Sequence, residues 1–74
     1  MVPAEIGATL KARRRQLGLR QQDVADLCGV SRRLVVELEA GRGQRDPGLS
    51  KVVQVCAVLG LELLVVPATV PGQP

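Results

Sequence analysis

The chain has no phenylalanine, tyrosine, tryptophan or histidine. Without aromatic rings, any core must be assembled from Leu, Val, Ile, Ala and Cys. Without histidine, the side chain most used for proton transfer near neutral pH is missing. Only two cysteines are present, Cys28 and Cys56. They stand in apolar stripes rather than in a CxxC, and neither has a base beside it. The expected state is a pair of buried, reduced thiols in a cytosolic protein, with an intrachain bridge as the alternative. The acidic residues are scattered and show no metal-ligand spacing. The Gly-rich stretch "GRGQRD" lacks the preceding strand and the lysine of a phosphate-binding loop. No apolar run approaches the ~20 residues of a membrane span, and the start of the chain lacks a signal peptide's apolar core. Together these absences argue against an enzyme, a cofactor, a metal site and a membrane protein, and for a cytoplasmic one.

What remains is short and unevenly charged. At 74 residues the chain is one small domain. Such a domain buries a modest fraction of its surface, and association with a second copy is a natural remedy. Residues 1–46 hold nine of the ten Lys/Arg and six of the seven Asp/Glu, so the net charge of +3 lies entirely in that part. A basic half suits a polyanion such as nucleic acid.

Punctuation along the sequence predicts four helices. The first spans residues 3–17, with Pro3 in its first turn, Ile6, Leu10 and Leu17 as its apolar stripe, and Gly18 as its stop. The second spans residues 21–28, with Val24, Leu27 and Cys28 inward, and Gly29 ends it. Ser31 is suited to cap the third, which runs to Ala40. Val30 and Val35 are spaced to clasp that cap as a hydrophobic staple, and Gly41 ends the helix. Asp46 and Pro47 read as the cap and first residue of the fourth. Its apolar positions are Leu49, Val52, Val53, Cys56 and Leu59, and Gly60 stops it.

The next residues pose a separate problem. "GLELLVVP", residues 60–67, reads as a strand closed by proline, and no other part of the chain does. Its ladder groups therefore have no partner within one molecule. The expected solution is an antiparallel two-stranded sheet between two copies, with Leu61, Leu63, Leu64, Val65 and Val66 at the seam. Dimerisation through the fourth helix by Val55 and Val58 is the alternative. The organisation expected is a four-helix unit over residues 1–60, a dimerisation strand over 61–66 and a flexible Pro-rich tail over 67–74.

The functional signal lies in "LRQQDVADLCGVSRRLVVELEAGR", residues 19–42. Two short amphipathic helices are joined by a tight glycine turn, and the small Ala25 stands where they must approach. This is the pattern of a helix-turn-helix. Through Gln21, Ala25, Gly29, Val35, Leu38, Glu39 and Gly41 it resembles the phage Cro and repressor family, also called the Xre family. The resemblance covers about residues 6–60. It implies an all-α, four-helix lambda-repressor-like domain whose third helix enters the DNA major groove. Carried over by position, Arg32 and Arg33 are the leading base readers, because arginine's fork fits guanine O6 and N7. Leu34 is placed for a thymine methyl, and Glu37 for a cytosine amino group or for orienting an arginine. Arg20, Gln21, Ser31, Arg42 and Arg45 are the candidates for phosphate contacts. Arg20 departs from the family pattern, in which Thr, Ser or Asn caps the second helix. Arg14 and Glu39 are charges beside inward stripes, and a buried charge needs a partner. The matching positions in phage repressors form an ion pair.

The passage from the fourth helix straight into "LELLVV" is similar to HipB-type antitoxins. That likeness implies a homodimeric, autoregulatory repressor bound to an inverted-repeat operator, associated with the nucleoid and able to bind a kinase-like toxin. The alternative is a protein-interaction module that neutralises such a toxin, with DNA binding secondary or lost. The apolar Val36 on an outward face and the Pro-rich tail point that way.

Overall fold

The computed structural model describes residues 4–43, 46–69 and 72. Four helices follow one another: α1 (Ala4–Gln16), α2 (Gln21–Cys28), α3 (Arg32–Ala40) and α4 (Leu49–Val58). Pro3, expected in the first turn of α1, lies outside the described residues. One core joins the helices: Leu10 from α1, Val24 and Ala25 from α2, Val35 and Leu38 from α3, Val52, Val55 and Cys56 from α4, with Leu59 just beyond. α3 packs on α1 and α2, and α2 packs on α4. Both thiols are free, and burial pushes each above its ordinary pKa.

Local chemistry fixes the ends of α2 and α3. Gly29 (φ 69°) closes α2 in the left-handed region, where Val30 N–H donates to the Ala25 carbonyl at 3.0 Å. The Ser31 hydroxyl accepts the Leu34 N–H at 3.2 Å and caps α3, which begins at the next residue. At the head of α2, Arg20 has no acceptor to offer. Asp23 supplies the cap from the other side, its carboxylate accepting the Arg20 backbone N–H at 2.7 Å.

The start of α4 corrects the sequence reading. The Asp46 carboxylate does accept the Gly48 N–H, at 2.8 Å. Gly48 then takes φ 85°, outside the helical region, and the helix begins at Leu49. Four expected inward residues also face water: Leu17 (43% exposed), Leu27 (64%), Leu49 (70%) and Val53 (45%). At about 100° per residue, Val52, Val55, Cys56 and Leu59 share one stripe, and Val53 falls well to its side. Val55 is 2% exposed, so it is core and not available as the alternative dimer contact.

Gly7 went unremarked in the sequence. A Cβ there would run into the carbonyls of Leu38 and Glu39. The backbones of α1 and α3 therefore meet directly, which only glycine permits.

The expected strand is not present in the single chain. Residues 61–69 have no regular secondary structure, and no strand occurs among the described residues. Leu61 is half-buried against the core, and its N–H donates to the Cys56 carbonyl at 2.8 Å. Beyond it the apolar side chains turn outward, Val65 completely. The physical reason is the one posed by the sequence: within one chain these backbone groups have no ladder to join. Of the tail, residues 70, 71, 73 and 74 lie outside the described residues. Among the described residues, no helix is long and apolar enough to cross a membrane.

Candidate nucleic-acid interface

The turn between α2 and α3 aims the N-terminal end of α3 at solvent. Val35 and Leu38 anchor the inner face of that helix. Arg32 and Arg33 stand on its outer face and are exposed, while Leu34 is half-buried and packs against the core. Arg33 Nε donates to Glu37 Oε1 at 3.0 Å, one turn along. Arg32 has no hydrogen-bond or ion-pair partner among the described residues. It borders a polar groove with Arg14, Leu19, Arg20, Gln21 and Gln22, where the head of α2 comes alongside the start of α3. Val36 is 38% exposed.

The proposed phosphate contacts are placed unequally. The exposed Arg20 guanidinium pairs with Asp23 at 2.9 Å, and that bond holds the Asp23 carboxyl below its ordinary pKa. The Gln21 amide turns inward and donates to Glu39 Oε1 at 3.3 Å. Ser31 spends its acceptor on the α3 cap, which leaves its hydroxyl proton available. Arg42 is exposed just past the end of α3. Arg45 lies outside the described residues.

Beneath this surface, Arg14 and Glu39 are joined by two bonds. Arg14 Nε donates to Glu39 Oε2 at 2.6 Å and its Nη2 to Oε1 at 3.0 Å. Arg14 Nη1 donates to the Leu19 carbonyl at 2.9 Å, in the turn before α2. The two side chains are only 11% and 5% exposed, and the bond to Glu39 holds the guanidinium charged more firmly than usual. One ion pair thus ties α1, the α1–α2 turn and the far end of α3 together, fixing the angle at which α3 is presented. Arg13 adds a tie without a local sequence signature: its Nε donates to the Leu59 carbonyl at 2.9 Å, at the end of α4. Among the described residues, no group of three or more His, Cys, Asp or Glu is placed to hold a metal ion.

This geometry is a helix-turn-helix with a cationic leading edge. The helix-turn-helix family HTH_3 matches residues 10–66, well over half of the chain. The chain belongs to this family. It is also 41% identical, over 61 residues, to a protein of Sinorhizobium fredii (strain NBRC 101917 / NGR234) named as an uncharacterized HTH-type transcriptional regulator, y4mF. That likeness covers 82% of this chain and 78% of the relative.

Proposed function

We propose that this helix-turn-helix protein is a sequence-specific DNA-binding transcriptional repressor that acts in the cytoplasm as a homodimer and controls its own operon. The observation that carries the reading is the exposed Arg32–Arg33 pair at the leading end of α3, on a helix whose other face is locked into the core. Membership of the family and the likeness to a named transcriptional regulator support it. The homodimer part rests on residues 61–66. Leu64, Val65 and Val66 are 70%, 100% and 68% exposed, so the apolar run is left uncovered by its own chain. Pairing with the same segment of a second copy would satisfy backbone and side chains at once. It would also present two α3 helices to half-sites about 34 Å apart on an inverted repeat.

Selection from random duplex DNA tests this reading. The expected product is an inverted repeat. Arg42→Ala should weaken binding to all sequences alike and lower its salt dependence. Retention of random duplex without enrichment of any sequence would refute it.

A second reading, an antitoxin that holds a kinase-like toxin, draws on the exposed apolar Val36 and on residues 64–66. Its test is genetic. Growth arrest by a kinase-like product of the neighbouring gene should be relieved by this chain, and Val36→Glu should weaken the relief. Absence of any such neighbour removes the reading.

A further inference from the structure

We propose that Arg33 is the specificity-determining arginine of α3, and that Glu37 is a positioning residue that aims it, its carboxylate seated in space that Gly43 leaves open. The inference rests on the DNA-binding reading above.

The argument begins with which nitrogen is engaged. A guanidinium carries five N–H donors in a rigid plane. Glu37 takes the Nε–H of Arg33, at 3.0 Å. The far end of the plane, with its two terminal nitrogens, has no partner among the described residues. That end offers the paired donors that match guanine O6 and N7. The carboxylate thus occupies the donor that base recognition does not need and fixes the plane of those it does. Part of the rotamer freedom that binding would otherwise remove is already lost in the free protein.

Glu37 lies closer to the body of the protein than Arg33 does. Its backbone carbonyl accepts the Arg42 N–H at 3.1 Å, and its side chain is less exposed (33%) than that of Arg33 (76%). The loop after α3 passes close by: a Cβ on residue 43 would lie 2.7 Å from Glu37 Oε2 and 3.3 Å from Glu37 Cβ. Only a residue without a side chain leaves the carboxylate where it is. The missing side chain at Gly43 therefore leaves the Glu37 carboxylate free to reach Arg33. Arg32 has no such brace and faces the groove at the head of α2, beside Arg20 and Gln21. A phosphate contact suits it better than a base.

Charge makes the proposal separable from a structural role. A carboxylate at a DNA surface repels phosphates, so Glu37 opposes general affinity while sharpening choice. Glu37→Ala should therefore raise binding to random duplex and lower discrimination at one base pair, opposite directions that loss of structure does not produce. The experiment is competitive binding to the selected operator and to single-base-pair variants of it, for the full chain and for Arg32→Ala, Arg33→Ala, Glu37→Ala and Gly43→Ala. Arg33→Ala is expected to lose about tenfold or more of discrimination at one G·C pair. Glu37→Ala and Gly43→Ala should lose discrimination at that same pair, and adding Glu37→Ala to Arg33→Ala should change it no further. Arg32→Ala should weaken all the DNAs alike. Should Glu37→Ala not fold, Glu37→Gln, which removes the charge and keeps an acceptor, is read in its place. Discrimination lost through Arg33→Ala but unchanged by Glu37→Ala would overturn the positioning role alone, as would loss at a different base pair, which would make Glu37 itself a reader. A wild-type chain with no base preference would overturn the DNA reading and this inference together.

Discussion

Helix α4 and residues 61–66 make an instructive pair. Both are rich in Val and Leu, and each has one charged residue, Lys51 in the first and Glu62 in the second. Yet α4 buries Val52, Val55 and Cys56, whereas residues 61–66 bring only Leu61 against the core and leave Val65 fully exposed. The difference lies in what each can lean on. A helix satisfies its backbone internally, so α4 needs only a face to cover, and α2 provides one. An extended segment needs both a face and a hydrogen-bonding edge. Apolar composition states how strongly a segment needs a partner, and backbone geometry decides whether its own chain can supply one.

The largest expected effect sharpens the helical side of this contrast. Glu39→Ala leaves Arg14 buried without its carboxylate, which should cost about 3–5 kcal/mol. A chemical-denaturation midpoint equal to that of wild type would show that the tie between α1 and α3 is dispensable. Next comes Leu59→Ala, at 1% exposure. Truncation of such a core side chain should cost about 2–5 kcal/mol, and an unchanged melt would mean that the end of α4 contributes no more than the segment after it. Residues 61–66 should behave in the opposite way. Val65→Ser should alter the folding of the single chain by less than about 0.5 kcal/mol. Leu63→Pro or Val65→Pro, which remove a ladder donor, should yield monomers with weak operator binding. A proline variant that sediments as a dimer and binds normally would break the comparison. The smallest effect concerns Asp23. Its carboxyl is held below the ordinary pKa by Arg20, so its contribution is present above the ordinary carboxylate range and fades as pH falls through the folded-state value. The thermal stabilities of wild type and Asp23→Ala should therefore differ at neutral pH and converge in acid.

How far the sequence could be read follows the same physics. α2 and α3 are bounded by residues whose chemistry acts within a few positions: Asp23 on Arg20, Gly29, Ser31 on Leu34, and Gly41. Arg14 and Glu39 were conspicuous as charges on apolar stripes. The inner face of α4 was misjudged because Val53 and Val55 are the same residue type flanking the line through Val52, Cys56 and Leu59, and only Val55 joins it inside. Only packing on α2 decides between them. Glycine in a helix registers in a sequence as a weak propensity, so Gly7 gave no hint of backbone against backbone. The bond from Arg13 to the Leu59 carbonyl spans 46 residues and leaves no local pattern. Glu37 was offered two roles by its position, and its bond to Arg33 Nε is the observation on which the orienting role is proposed.

The direct contact of α1 with α3 has an evolutionary consequence. Every replacement of Gly7 adds a Cβ that must enter the carbonyls of Leu38 and Glu39, and every replacement of Gly41 must both adopt φ 68° and displace Ala4. These two positions cannot drift by small steps. Arg32 and Arg33 project from the opposite face of the same helix and meet no such barrier. A lineage can thus change what α3 presents to its partner many times over, while the frame that holds the helix is inherited unaltered.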